Sequence, residues 1–277
     1  MMRKIFTILI AALLACEVVA QLPIEIKVLS YNIRTLADDG DNSWKYRRHA
    51  TRNMLNVHKP DLFGLQEAMS THLKYIDRWI PRYDRVGVGR DDGKKRGEVV
   101  AIYYNKRRFD LLDSGTFWLS ETPEQVSKGW DAACVRTTTW VKLRDKDSSK
   151  EFYFFNTHLD HKGRVAQTES VKLIIEKIRE ISGEEATVIL GGDFNVIPED
   201  EVLAPLDGFM QAARTTAETA DDKGTFNSWG KRKVKSVIDH VFYRGSTAEC
   251  HTYRILDGDY GAPYISDHYP VEVVLSF

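Results

Sequence analysis

Six short segments of this chain set a polar side chain, of a kind that binds metals or phosphates, at or beside an apolar run. Four runs close on such residues: Lys27-Val28-Leu29-Ser30-Tyr31-Asn32, Phe63-Gly64-Leu65-Gln66-Glu67, Tyr153-Phe154-Phe155-Asn156-Thr157-His158, and Val188-Ile189-Leu190-Gly191-Gly192-Asp193-Phe194-Asn195. A fifth carries Asp239-His240 inside Ser236–Tyr243, and a sixth opens on Asp267-His268 before Val271–Leu275. Short apolar runs bounded by turn signals read as buried strands. The end of an upward strand and the start of a downward one share a sheet edge. One rim can therefore collect all these groups, which constrains the fold to stacked, strand-rich layers.

Around those runs the chain reads as mixed α and β. Ile24–Val28 alternates with period two. Residues 43–58 read as a helix, with Ser43 as its N-cap and Pro60 as its stop. Residues 61–66 read as a strand, and 70–80 as a second helix before Pro81. Strands are expected over 98–104, 109–119, 135–143 and 151–157. Val171, Ile174, Ile175, Ile178 and Ile181 share one face of the longest helix, which Gly183 ends. Strands close the chain at 186–190, 237–243, 252–256 and 271–277. No Pro/Ser/Gly-rich linker divides it, so one domain over 22–277 is expected, of α/β or α+β class.

The N-terminus reads differently. Arg3-Lys4 precedes an apolar run from Ile5 to Ala15, and Val18-Val19-Ala20 offers small residues for cleavage before Gln21. Residues 1–20 are thus expected to be a signal peptide, with an exported, periplasmic or extracellular product. Leu13-Leu14-Ala15-Cys16 also matches a loose lipobox, which would anchor the protein through Cys16; bulky Leu14 fits that motif less well. Cys134 and Cys250 could pair in an exported protein, yet two small buried apolar residues is the simpler reading. The net charge of −1 supplies no global field for nucleic acid.

Acidic groups gathered on a rim repel one another unless a cation lies between them. Carboxylate and amide oxygens suit hard Mg²⁺ or Mn²⁺, and no Cys/His cluster with zinc spacing is present. Taken singly, each residue is most simply a solvated loop group or a turn cap. The ordered set resembles the endonuclease/exonuclease/phosphatase family, metal-dependent phosphoesterases with a deoxyribonuclease-like fold. That resemblance implies a four-layer α/β/β/α sandwich, deoxyribonuclease-I-like.

It also implies roles. Asn32, Glu67 and Asp267 would hold the Mg²⁺ or Mn²⁺, with Glu67 the central ligand. His158 would donate to a phosphate oxygen. Asp193 would orient or deprotonate the attacking water, and Asn195 would contact the phosphate. Asp239 would hydrogen-bond the final histidine, His268. Some nuclease branches carry an acidic residue two positions after the first asparagine; here Arg34 stands there and favours a phosphate-rich substrate. Arg136, Arg164 and Trp229 are further candidates for substrate contact, with Arg164 as a phosphate clamp and Trp229 as a stacking surface. The basic run Lys231-Arg232-Lys233-Val234-Lys235 precedes Asp239 and would hold a second phosphate or simply form a solvated turn.

The stretch Phe117–Trp140 is similar to an uncharacterised bacterial branch, nearer the nocturnin and deadenylase side than the sphingomyelinases. The expected reaction is in-line attack of water on a phosphodiester or phosphomonoester. The expected substrate is a phosphorylated small molecule or short nucleic acid, and nothing calls for an obligate protein partner, so a monomer is expected. The alternative from another class is an inactive phosphate-binding module, against which the intact Glu67, Asp193 and His268 argue. A glycosidase would not explain both histidines and Asn195.

Overall fold

The computed structural model describes residues 23–231 and 236–277. The expected signal peptide, Cys16, and Arg232, Lys233 and Lys235 lie outside the described residues. Elements follow in the order β1 (Glu25–Asn32), α1 (Trp44–His58), β2 (Leu62–Ala68), α2 (Ser70–Trp79), β3 (Tyr83–Val86), β4 (Val99–Asn105), β5 (Phe109–Trp118), β6 (Thr137–Asp145), β7 (Glu151–His158), α3 (Arg164–Ser182), β8 (Val188–Asp193), β9 (Gln211–Ala212), α4 (Ala213–Thr216), β10 (Thr219–Ala220), β11 (Asp239–Arg244), β12 (Glu249–Ile255) and β13 (Val271–Ser276).

Two sheets form, in the orders β10-β12-β13-β1-β2-β4-β3 and β5-β6-β7-β8-β11-β9. Between them, Ile26, Val28 and Leu62 of the first sheet meet Val141, Phe152, Phe154 and Ile189 of the second. The outer face of the first sheet buries Leu29, Phe63 and Tyr103 against Met54 of α1 and Leu73 and Ile76 of α2. The outer face of the second buries Phe155 and Leu190 against Val171, Ile174 and Ile178 of α3. The result is the expected α/β/β/α sandwich.

Local chemistry sets the ends. Proline disfavours the α region for the residue before it, and α1 ends where Lys59 turns left-handed ahead of Pro60. Gly183 ends α3 at φ +76°. Ser43 precedes α1 in an extended conformation, but its side chain makes no capping bond. The strand β3 was not expected from the sequence, because Tyr83-Asp84-Arg85-Val86 is an edge segment with little apolar content.

Register places the site. In the first sheet, Asn32 ends β1 opposite Gln66 of parallel β2. In the second, parallel β7 and β8 pair His158 with Asp193, and antiparallel β11 pairs Asp239 with that same Asp193. Three polar residues thus stand in one row at one edge.

Candidate active site

The two rims meet over a cavity of about 460 Å³. Its lining includes Glu67, Arg34 and Asp267 from the first sheet's edge and His158, Asp193 and Asn195 from the second's, with His268 between. Glu67, Arg34 and Asn195 adopt left-handed φ values of +58°, +60° and +55°. That conformation costs a non-glycine residue about 1–2 kcal/mol. Three of the eight non-glycine residues with positive φ among the described residues line this cavity, and backbone held this way persists only where the surrounding structure fixes it.

Asn32 ties the rims together. Its Nδ2 donates to Glu67 Oε1 at 3.0 Å and to Asp193 Oδ2 at 2.9 Å, and its Oδ1 accepts the Arg34 N–H at 3.0 Å. Glu67 Oε2 accepts the Thr35 N–H at 3.0 Å. Asp193 Oδ1 accepts the Asn195 N–H at 2.9 Å. Its Oδ2 lies 3.5 Å from His158 Nε2 and 3.9 Å from His268 Nε2. His268 Nδ1 pairs with Asp239 Oδ2 at 2.8 Å, while the buried Oδ1 of Asp239 has no hydrogen-bond partner.

These surroundings split the ionisable groups. Burial would lower His268, but the Asp239 and Asp193 carboxylates outweigh it and raise its pKa to about 10. His268 is therefore cationic at neutral pH. Burial pushes His158 well below its ordinary value, and the Arg136 and Arg90 guanidiniums add to that, so His158 is neutral. Burial raises Asp193 to about 7, helped by the Asp239 carboxylate and opposed by His268 and Asn32. A carboxyl poised near neutrality suits a general base.

Some expectations fall elsewhere. Arg164 does not line the cavity; as the first residue of α3 it turns to Asp200, with bonds of 2.8 and 2.6 Å, and to Glu201. Trp229 is also absent from the lining, and its ring takes the Arg47 guanidinium at 5.3 Å. His240 is buried behind the row, with Nε2 2.9 Å from the Val196 carbonyl. Cys134 and Cys250 are both free thiols; Cys250 is buried as the simpler reading had it, whereas Cys134 is half-buried and lines the cavity. Arg136 does reach the cavity, with Nη1 2.9 Å from His158 and Nη2 3.1 Å from His161.

Sequence reasoning missed three contributors. Glu98 lines the cavity, accepts from Arg90 at 2.6 Å and lies 4.0 Å from His158 Nδ1. Burial raises its pKa despite Arg90. An acidic residue just ahead of the apolar run at Val99 was the available signal. Arg90 lines the same wall. Arg47, fully buried in α1, donates to the carbonyls of Ile33 and Ile265 at 2.8 Å each, fastening from beneath the loops that carry Arg34 and Asp267.

The donor set fits a hard divalent cation. Glu67 and Asp267 line the cavity with carboxylate oxygens. Asn32 lies behind them, with its Nδ2 toward Glu67 and Asp193 and its Oδ1 on the Arg34 N–H. Ligand atoms of Glu67, His158 and Asp193 lie within 4.8 Å of one another. Arg34 Nη1 stands 3.8 Å from Glu67 and 3.5 Å from Asp267, so the gap between those carboxylates already accommodates positive charge. Oxygen donors of this kind favour Mg²⁺-like ions over softer metals.

Comparison with known proteins assigns the class. Residues 29–268 match the model of the Endonuclease/Exonuclease/phosphatase family. A crystal structure of an endonuclease/exonuclease/phosphatase family protein from Bacteroides thetaiotaomicron superposes with a TM-score of 0.86. It is 37% identical, over 92% of this chain and 99% of that one. A mannosyl-6-phosphatase from the same organism gives the same identity and TM-score over 91% of this chain and 100% of its own. An uncharacterised protein of Acanthamoeba polyphaga mimivirus is 27% identical, over 83% of this chain and 91% of its own length. The chain belongs to the endonuclease/exonuclease/phosphatase family, whose members hydrolyse phosphoester bonds and generally depend on divalent metals. Its two-sheet sandwich is the deoxyribonuclease-I-like fold.

Proposed function

We propose that this protein is an exported Mg²⁺- or Mn²⁺-dependent phosphatase acting on small phosphomonoesters, with sugar phosphates as the foremost class. One observation carries the reading. Asp193, held by Asn32, stands between a neutral His158 and a cationic His268, on the same cavity as Glu67. In-line hydrolysis needs an oriented water and neutralisation of charge on the non-bridging oxygens. Asp193 orients the water and takes its proton. His268, kept charged by Asp239, and the Asn195 amide meet the phosphate oxygens. A cation bound between Glu67, Asn32 and Asp267 would polarise the phosphoryl group and stabilise the leaving oxygen.

Two further points favour a monoester. The cavity wall gathers Arg34, Arg90 and Arg136, which suits the extra charge of a terminal phosphate. The relative named a mannosyl-6-phosphatase shares the fold over nearly the whole chain. Export is supported by the basic-then-apolar character of residues 3–20. The test is a panel of sugar phosphates, nucleotides, short single strands and bis-(p-nitrophenyl) phosphate, run with Mg²⁺, Mn²⁺ and EDTA. Turnover of monoesters well above diesters, abolished by EDTA, is expected. Activity that survives chelation removes the metal reading, and a preference for diesters removes the phosphatase reading.

A further inference from the structure

Beneath the cavity, between two sheets otherwise packed with apolar side chains, lies a small polar bridge. Asn156 of β7 reaches across to the other sheet. Its Nδ2 donates to the carbonyls of Leu65 at 3.0 Å and Ala101 at 2.9 Å. Its Oδ1 accepts from Gln66 Nε2 at 2.6 Å, and the same Nε2 lies 3.2 Å from Ser30 Oγ. Ser30, Gln66 and Asn156 are all essentially inaccessible to solvent. Burying primary amides among apolar groups is unfavourable unless they are paired, so packing alone does not account for them.

Their position does. Leu65 pairs with Ala101, but the next pair is Ala68 with Val99. Two residues of β2, Gln66 and Glu67, therefore oppose the single Val100. This is a β-bulge, a device that redirects a side chain. Glu67 takes the left-handed conformation at φ +58° and turns into the cavity, while Gln66 stays between the sheets. The two carbonyls that Asn156 holds belong to the last regular pair before the bulge. Gly64 leaves room for it, since a Cβ there would fall 2.5 Å from Asn156 Cγ. Asn156 is itself two residues before His158.

We propose that Asn156, through Gln66, is a positioning residue: it fixes the bulge that aims Glu67 and locks the metal-holding rim in register with the rim of His158 and Asp193. It touches neither substrate nor metal. The proposal rests on Glu67 being a metal ligand. Its prediction is a loss of metal affinity out of proportion to any loss of stability.

The experiment measures Mn²⁺ binding directly, by electron paramagnetic resonance titration of the folded protein, beside thermal melting and the Mg²⁺ activation midpoint. Asn156→Leu keeps the volume and removes the bridge; the expected result is about 10-fold weaker Mn²⁺ binding. Gln66→Met should weaken it less, and the double variant should match Asn156→Leu alone. Gly64→Ala, which crowds Asn156 without removing it, is the second route should Asn156→Leu not fold, and it should weaken Mn²⁺ binding in the same sense. Phe154→Leu, in the same layer but outside the bridge, should lower the melting temperature with Mn²⁺ affinity intact. Unchanged Mn²⁺ affinity in folded Asn156→Leu or Gly64→Ala overturns the proposal, as does an equal loss in Phe154→Leu. Absence of Mn²⁺ binding in the unsubstituted protein would instead overturn the metal reading of Glu67.

Discussion

The two sheets bring different chemistry to the rim where they meet. The first sheet's edge offers oxygens: Asn32, Glu67 and Asp267, with Arg34 against the two carboxylates. The second sheet's edge is a row of titratable groups, where Asp193 stands between His158 and Asp239. His268 sits on the first sheet's side of the chain, just before β13, yet pairs with Asp239 of the second. Binding a cation requires negative charge that stays ionised. Transferring a proton requires a pKa near neutrality. Under the proposed function, housing the two on separate sheets would let each environment be set by its own neighbours, and Asn32 bonds to both Glu67 and Asp193.

That division is broken most directly at Asp193. Asp193→Asn keeps the shape but removes the base, and kcat/KM should fall about 10³-fold, within the range for a lost general base, with melting and Mn²⁺ affinity near normal. A variant retaining more than a tenth of the activity would reassign the proton-handling row. Glu67→Gln should act on the other side. The Mg²⁺ concentration for half-maximal activity should rise at least about 10-fold, and excess metal should restore much of the rate. If Glu67→Gln and Asp193→Asn respond alike to added metal, the two rims do not divide the work.

Much of this arrangement was legible because most of these residues sit where an apolar strand stops or starts, and strand ends are written in the sequence. The bridging contacts were not. Asn32 and Asp193 are 161 residues apart, and Asn156 and Leu65 are 91 apart. The bulge at Gln66-Glu67 was hidden because β2 is buried on both faces, so no alternation reveals a slipped period. Arg164 was misleading for the opposite reason. Nearness to His158 in sequence suggested nearness in space, while the start of α3 turned it to Asp200. The cavity's far wall depends on loops, whose side chains carry no periodic signal.

Glu98, just ahead of β4 of the first sheet, tests how strictly the two rims divide the work. Its carboxylate holds Arg90 and stands 4.0 Å from His158. Glu98→Gln should reduce kcat/KM about 10-fold, mainly through KM, because Arg90 loses its charge partner. A fall in kcat alone would make Glu98 part of the proton-handling row.

Away from both rims, His72 of α2 separates stability from chemistry. It is buried against Trp44, and its Nδ1 accepts the Met69 N–H at 2.9 Å. Burial, reinforced by Arg47, lowers its pKa from 6.5 to about 3. Between those values the unfolded chain binds a proton that the folded chain does not. Its stabilising contribution is therefore full above about pH 6.5 and is lost as pH falls, by up to about 1.4 kcal/mol per unit, until about pH 3. Gln at this third helical position can keep the capping bond without titrating. Urea unfolding of His72→Gln should show a shallower loss between pH 7 and 5 than the unsubstituted protein, and parallel curves would assign the acid sensitivity elsewhere.

The smallest effect is expected at Arg164, and it bears on the same comparison. Arg164 starts α3, six residues after His158, but its guanidinium lies half exposed on Asp200 and Glu201. Exposed pairs of this kind contribute about 0–1 kcal/mol. Arg164→Ser should therefore leave kcat/KM within about twofold for every substrate and lower the melting temperature only slightly. Arg136→Ser, by contrast, removes a buried guanidinium that lines the cavity beside His158. It should raise KM for a monoester far more than for an uncharged-leaving-group diester. A KM rise in Arg164→Ser equal to that in Arg136→Ser would mean that α3 swings its first turn toward bound substrate. The second rim would then include a helix that the present arrangement keeps apart from it.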